Sequence, residues 1–331
     1  MDTSDSTIDR KGEEENKSEN PVQCISYQQQ VQDLQLKLDL AQKQCQEYKE
    51  KYDKILQDLE AVKVQNAQLI ITLQNHEKEI LQPLKNFNNI PGKTFKYETH
   101  LHTKESSACA RSSAARYIKL YKKLGYDGIF VTDHFFGGNT RVPKTLDWNE
   151  RVEQFCRGYE AALAEAQRQN AESGGNFQVF FGFEQTFDTD DYLIYGLDKN
   201  WLFDHPEVET MNHHQLFEAV NSQGGLMIQA HPFRMDDDIK SIIIHPLDIH
   251  GIEVYNGGNE SDNENELALA YASSYNFPMT SGSDIHTILY AHDKLSVCGM
   301  EFATPLTSVK DYCERIKRKE GNILREILKE D

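Results

Sequence analysis

The sequence predicts an α/β fold with a mostly parallel sheet, open or closed into a barrel, preceded by one long coiled-coil helix. Three observations lead there. A seven-residue repeat runs through the first quarter of the chain, short β-branched or aromatic runs alternate with helical stretches after it, and histidines and acids gather at the ends of those runs. With 331 residues, 38% of them apolar, the chain can build a substantial core. Its formal net charge of −18 argues against a polyanion as main partner, because phosphate backbones are bound by clustered Lys and Arg. Nucleic acid then enters only as a nucleotide or short substrate.

Residues 1–20 are polar and charged, too poor in apolar side chains to offset the entropy of ordering, and are expected to be a disordered acidic tail. They lack the apolar stretch of a signal peptide, and no window resembles a membrane span. The six cysteines, at 24, 45, 109, 156, 298 and 313, show no Cys-x-x-Cys spacing. They read as reduced thiols of a cytoplasmic protein.

Residues 21–82 form the predicted coiled coil. Cys24, Val31, Leu38, Cys45, Tyr52, Leu59, Asn66, Leu73 and Ile80 recur at a, with Tyr27, Leu34, Ala41, Tyr48, Ile55, Val62, Leu69 and His76 at d. No Gly or Pro interrupts the run between Pro21 and Pro83. A period of 3.5 sustained this long predicts a left-handed supercoil, and a lone Asn66 at a favours a parallel two-stranded register, hence a homo-oligomer. Pro83 and "NFNNIPG" then mark a linker over 83–94.

Residues 95–305 are the predicted catalytic domain. Seven strands are expected at 96–102, 128–134, 178–184, 192–197, 224–231, 251–256 and 277–284, separated by helical stretches such as "ARSSAARYIKLYKKLG", with Gly125 as a stop. His100 and His102 close the first strand, Asp133 and His134 the second, Glu184 the third and His231 the fifth. Asp284 and His286 follow the seventh. In parallel α/β folds the C-terminal strand ends share one rim, so these groups should converge. Alternation puts His100 and His102 on one face, and imidazole with carboxylate suits zinc, iron or manganese. Arg234, in "HPFR", is the candidate cation beside these groups, with Lys104 second, able to orient an anionic ligand. The last stretch, 306–331, has helical spacing and is expected to be a C-terminal surface helix.

His-x-His at 100–102, "TDH" at 132–134, "GFE" at 182–184, "AHP" at 230–232 and "GSDIH" at 282–286, in that order, resemble the PHP (polymerase and histidinol phosphatase) family. The resemblance implies a distorted seven-stranded (β/α) barrel holding one to three divalent ions at its C-terminal rim. It implies that His100, His102, Glu184 and Asp284 hold a first ion, and that Glu184 bridges to a second bound by His231. His134 and His286 belong to a third, with Asp133 beside them. Two expected histidines are missing, one at Ala108 and one near Tyr192 and Leu193, and the family's leading acid is present as Glu98. The implied activity is a metal-dependent phosphoesterase that hydrolyses a small phosphomonoester or nucleotide. Metal-activated water would attack phosphorus, with His134 or His286 supplying the leaving-group proton. An amidohydrolase-type hydrolase and a catalytically degenerate coiled-coil adaptor are the alternatives.

Overall fold

The computed structural model describes residues 21–81, 94–236, 239, 241–288 and 296–327. The predicted acidic tail at 1–20 and nearly all of the predicted linker lie outside them. The chain divides into two compact units, Met1–Thr72 and Leu73–Asp331.

The repeat forms helix α1, which begins at Pro21 and continues without a break to Leu81 (61 residues), with residues up to Thr72 in the first unit. At 1.5 Å per residue it is about 90 Å long. Its seam residues Val31, Leu34, Leu38, Tyr48, Tyr52, Ile55, Leu59 and Val62 are all at least half exposed in the single chain. Among the described residues no helix is long and apolar enough to cross a membrane.

The second unit is built on a mixed sheet. Strands β1 (Phe95–Glu98), β2 (Gly128–Val131) and β3 (Gln178–Phe187) run parallel. After a turn through Asp188 (φ 54°) the chain returns as β4 (Asp190–Tyr195), antiparallel to both β3 and β5 (Leu226–Gln229). Strands β6 (Gly251–Asn256) and β7 (Met279–Gly282) then continue parallel to β5. The far edge is extended by β8 (Ser296–Phe302), antiparallel to β1, and β9 (Asn322–Ile327), antiparallel to β8. The order is β7-β6-β5-β4-β3-β2-β1-β8-β9. Beyond its last paired residue the β1 segment leaves β8 and meets the continuation of β7. Asp284 N donates to His100 O (2.8 Å), His102 N donates to Ile285 O (3.1 Å), and Leu101 bridges Ile285. These bonds nearly close the sheet into a barrel at the rim where the site lies.

Period-two alternation sorts the strand residues. Phe130, Phe180, Leu193, Tyr195, Leu226 and Ile228 pack inward with Tyr97, Phe302 and Tyr312. Ile129 and Val131 pack instead under helices α2 (Ala114–Lys123) and α4 (Arg157–Ser173). Phe183, Ile194, Met227 and Ile252 join a cluster with α3 (Trp148–Phe155), α5 (Lys199–Asp204), α6 (His213–Ser222) and α7 (Asp262–Ser274). Helix starts carry the expected caps: Asp147 accepts from Glu150 N, and Asn212 with Gln215 forms a capping box. Gly125, at φ 77°, ends α2 in a conformation that costs a β-carbon-bearing residue strain. The fully buried Phe130 ring contacts Phe180, Tyr195 and Tyr312 at 4.8, 5.3 and 4.5 Å between centroids. Phe130→Ala should therefore lower unfolding free energy by about 3–5 kcal/mol, read from denaturant midpoints at unchanged m-value. A loss below about 1 kcal/mol would mean that the ring does not hold the barrel floor.

Two expectations fail here. The sheet has nine strands among the described residues, not seven. The segment 306–331 is not one helix: α8 covers only Val309–Lys317, and the chain then turns through Lys319 (φ 58°) and Gly321 (φ 101°) into β9. Helical spacing of apolar residues in α8 carried the reading past the turn, but Gly321 and the β-branched Ile323 and Ile327 favour a return strand.

Candidate metal centre

The two histidines of "ETHLHT" sit where β1 passes from its pairing with β2 to its contact with the continuation of β7. Both are fully buried, on the same face, with Nε2 atoms 3.1 Å apart. The close approach needs Gly282, because a β-carbon there would lie 2.3 Å from the His100 Cβ. Glu184 shares the inner face of β3 with Phe180 and arrives opposite them. Its Oε1 lies 3.1 Å from His100 Nε2 and 3.4 Å from His231 Nε2, and its Oε2 lies 3.4 Å from His102 Nε2 and 2.7 Å from His134 Nδ1. Asp284 Oδ1 is 3.0 Å from His102 Nε2 and 3.4 Å from His100 Nε2. The His231 and Asp284 backbones have φ of 27° and 54°, sparsely populated conformations of the kind that gather at functional sites.

The predicted ligands thus converge in three overlapping trios: His100, His102 and Asp284; His100, Glu184 and His231; and His102, His134 and His286. Within each trio the donor atoms lie within 4.8 Å of one another. Neither buried Glu184 oxygen has a hydrogen bond of proper geometry among the described residues, nor has His134 Nδ1. Buried acceptors directed at imidazole lone pairs are costly without a cation between them, so this donor set fits divalent ions.

Surrounding contacts set the tautomers. His100 Nδ1 lies 2.9 Å from Glu253 Oε1, and a carboxylate there holds the proton on Nδ1 and frees Nε2 for the centre. His102 Nδ1 faces Ser107 Oγ (3.4 Å), whose hydroxyl donates to Asp133 Oδ1 (2.6 Å). His286 Nδ1 donates to the Asp284 carbonyl (2.8 Å), so its Nε2 is the free nitrogen. Asp133 is no ligand here: it also accepts from Thr103 N and Thr103 Oγ1, tying the loop after His102, and burial raises its carboxyl to about 6. Glu98 turns to His100 N, Ser283 N and Tyr121 OH.

The electrostatics follow from burial and proximity. Burial lowers His100, but Glu253, Asp284 and Glu184 outweigh it and hold the imidazole well above its ordinary range. His102 goes the other way, pushed down by burial and by His134 and His286. Burial would raise Glu184 and Asp284. The surrounding imidazoles, with Arg234 in the case of Asp284, hold both well below the usual carboxylate range.

Arg234 is not a free rim charge. Its Nη2 donates to Asp284 Oδ2 (2.7 Å) and Asn256 Oδ1 (2.8 Å), and its Nε to Asn259 Oδ1 (3.0 Å), which fixes the Asp284 carboxylate. Lys104 is exposed.

Sequence reasoning missed three residues. Glu253 is a buried acid in the apolar strand "GIEVYN", and that mismatch was its signal. Asp191, at the start of β4 beside the missing-histidine position, brings Oδ2 to 3.9 Å from His231 Nε2. Cys109, next to Ala108, is half-buried in the loop after Ser107. Burial raises this thiol, and the His134 and His286 imidazoles outweigh burial and bring it to about 7. Glu253→Gln should weaken metal binding by roughly 10- to 100-fold, measured by competition with a chromophoric chelator, with the fold intact by circular dichroism. Unchanged affinity would remove Glu253 from the centre.

No family model matches the chain. An uncharacterized protein of Methanocaldococcus jannaschii is 30% identical over 122 residues, 34% of this chain and 51% of that protein. The chain thus matches about half the length of this curated relative. Solved structures similar to it include a two-domain Bacteroides vulgatus protein described as containing a predicted PHP-like metal-dependent phosphoesterase. That protein is 18% identical, with TM-score 0.49 over 71% of this chain and 67% of its own. An amidohydrolase from Chromobacterium violaceum is 14% identical, with TM-score 0.41 over 70% of this chain and 98% of its own.

Proposed function

We propose that the chain is a metal-dependent phosphoesterase that hydrolyses a small phosphomonoester or nucleotide. The observation that carries this reading is the convergence of His100, His102, Glu184, His231 and Asp284, with His134 and His286, at one rim of the barrel. His100, His102, Glu184 and Asp284 would hold one ion and Glu184, His231 and Asp191 a second, with zinc, manganese and iron as candidates. Divalent ions bound there supply charge that polarises a phosphoryl oxygen and acidifies a water. Glu253, Ser107 and Arg234 hold the ligands in the orientation this needs. Arg234 also brings a fixed positive charge next to Asp284, where a phosphate would sit. His286 is partly exposed at the mouth and is held through Nδ1 on the Asp284 carbonyl. It is placed to pass a proton from Nε2 to the leaving oxygen, with His134 beside it.

In this reading β1–β7 correspond to the family's strands, and β8–β9 are an added antiparallel pair connected through α8. The exposed seam of α1 pairs in parallel with a second copy, and cysteines scattered without a Cys-x-x-Cys spacing suit the cytoplasm. A panel of phosphomonoesters, nucleotides and amides, with and without Mn²⁺, tests the activity. Metal-dependent phosphate release is expected. Amide cleavage without phosphate release would move the chain to amidohydrolase chemistry.

A further inference from the structure

Away from the metal centre, four more histidines gather where the connection from β5 to β6 lies over β4 and α6. His213 opens α6 and is 9% exposed, and neither of its ring nitrogens has a hydrogen-bond partner among the described residues. His245, from "IIIHPLDIH" in the connection, stacks on it with centroids 3.9 Å apart and ring planes 20° apart. Rings stacked face to face cannot both turn a lone pair to one ion, so the pair does not suit a metal. Phe187 of β3 and Tyr192 of β4 meet the His213 ring at 5.5 and 4.5 Å, which surrounds the stack with aromatic side chains. At the end of the connection His250 Nδ1 accepts from Met227 N (3.1 Å), His250 N donates to Met227 O (2.8 Å), and His250 Nε2 lies 3.2 Å from Asn221 Oδ1. An Nδ1 that accepts a backbone N–H carries no proton, so this geometry requires a neutral ring. Between the two histidines, Gln229 Nε2 donates to Ile243 O (2.6 Å).

We propose that His213, His245 and His250 form an acid-released latch: neutral, they fasten residues 243–250 onto β4, β5 and α6, and charged, they let the segment go. A proton on either ring of the stack puts charge against an imidazole face among aromatic rings, and a proton on His250 Nδ1 breaks the bond from Met227. Burial lowers His213 to about 4, aided by His245 and His214 and opposed by Asp248. Burial, with Lys317 of α8 facing the ring, lowers His250 to about 4. His214 runs the other way. Asp248, 2.9 Å from its Nδ1, and Glu218 raise it, so that pair tightens as pH falls, but His214 is exposed and the pairing is screened by water. Once the segment leaves, the two lowered rings meet water and return to about 6.5. The latch therefore holds fully above about pH 6.5. Between there and about pH 4 the released form takes up protons that the latched form refuses, and its share rises by up to about tenfold per pH unit for each histidine.

Hydrogen exchange of the full chain, read by mass spectrometry and corrected for the intrinsic pH dependence of exchange, tests the latch. Protection of the peptide covering 243–250 should fall by roughly 10³- to 10⁴-fold between pH 6.5 and 4.5 while β2 stays protected, with zinc present and after chelator treatment alike. His213→Phe keeps a ring for His245 to stack on, and His250→Gln keeps an acceptor for Met227 N and a donor for Asn221, but neither replacement titrates. Each should leave a fall of roughly 10²-fold, and the two together should remove it. Unchanged protection in the wild-type chain at pH 4.5 would overturn the latch, as would a fall that persists in the double variant. An equal fall in β2 would mean that the whole unit opens, and would overturn it too.

Discussion

Glu184→Gln should abolish metal-supported hydrolysis and lower metal affinity by roughly 10²- to 10⁴-fold, because removing one partner from a buried charged set costs about 3–5 kcal/mol. The size of the effect follows from the position of this one carboxylate. Its two oxygens face His100, His102, His134 and His231, all within 3.4 Å, so it touches four of the five imidazoles of the centre. Glutamine preserves the volume and can keep the strand register, in which Glu184 pairs with Leu193. What it removes is the charge that balances four imidazoles. Steady-state turnover and elemental analysis on the same sample check the expectation. A variant that keeps both its metal and its rate would remove Glu184 from the centre.

The second large effect belongs to the first unit. Leu34→Lys with Ile55→Lys should convert the proposed parallel dimer into a monomer, measured by sedimentation equilibrium. Leu34 and Ile55 are 65% and 63% exposed in the single chain and lie at d positions of the repeat. Burying each such side chain against a partner is worth about 1.5–3 kcal/mol, and the double variant loses four burials per dimer while adding four facing charges. The thermal transition of the second unit should stay where it is, since both substitutions fall within Met1–Thr72. A wild-type chain that sediments as a monomer at micromolar concentration would contradict the coiled-coil assignment.

The parts of this fold that were legible in the sequence are those governed by a period. The heptads marked α1 almost to its ends, and alternation located β1 to β7 and put His100 and His102 side by side. The convergence of these groups was legible because parallel strands bring their C-terminal ends to one rim, so a histidine closing one strand and an acid closing another carry a spatial meaning. Strands β8 and β9 were not read, although Cys298, Met300 and Phe302 alternate inward. Gly299 (φ 134°) inside β8 weakens its strand signal, and the charges of α8 blurred the turn before β9. Cys109 and Asp191 escaped for another reason: one lies in a loop with no period and the other at the start of an antiparallel strand, where the rule about C-terminal ends points to the wrong end. Arg234 was placed near the site correctly, but only the structure shows that its charge is directed at Asp284.

The buried histidines and acids of the barrel rim are expected to hold metal. Elemental mass spectrometry of the full chain, stripped with chelator, re-exposed to zinc or manganese and desalted, tests this most directly. Stoichiometric retained metal in the wild-type chain, lost in Glu184→Gln, is the predicted result. A wild-type chain that is folded by circular dichroism and retains no metal would contradict the account.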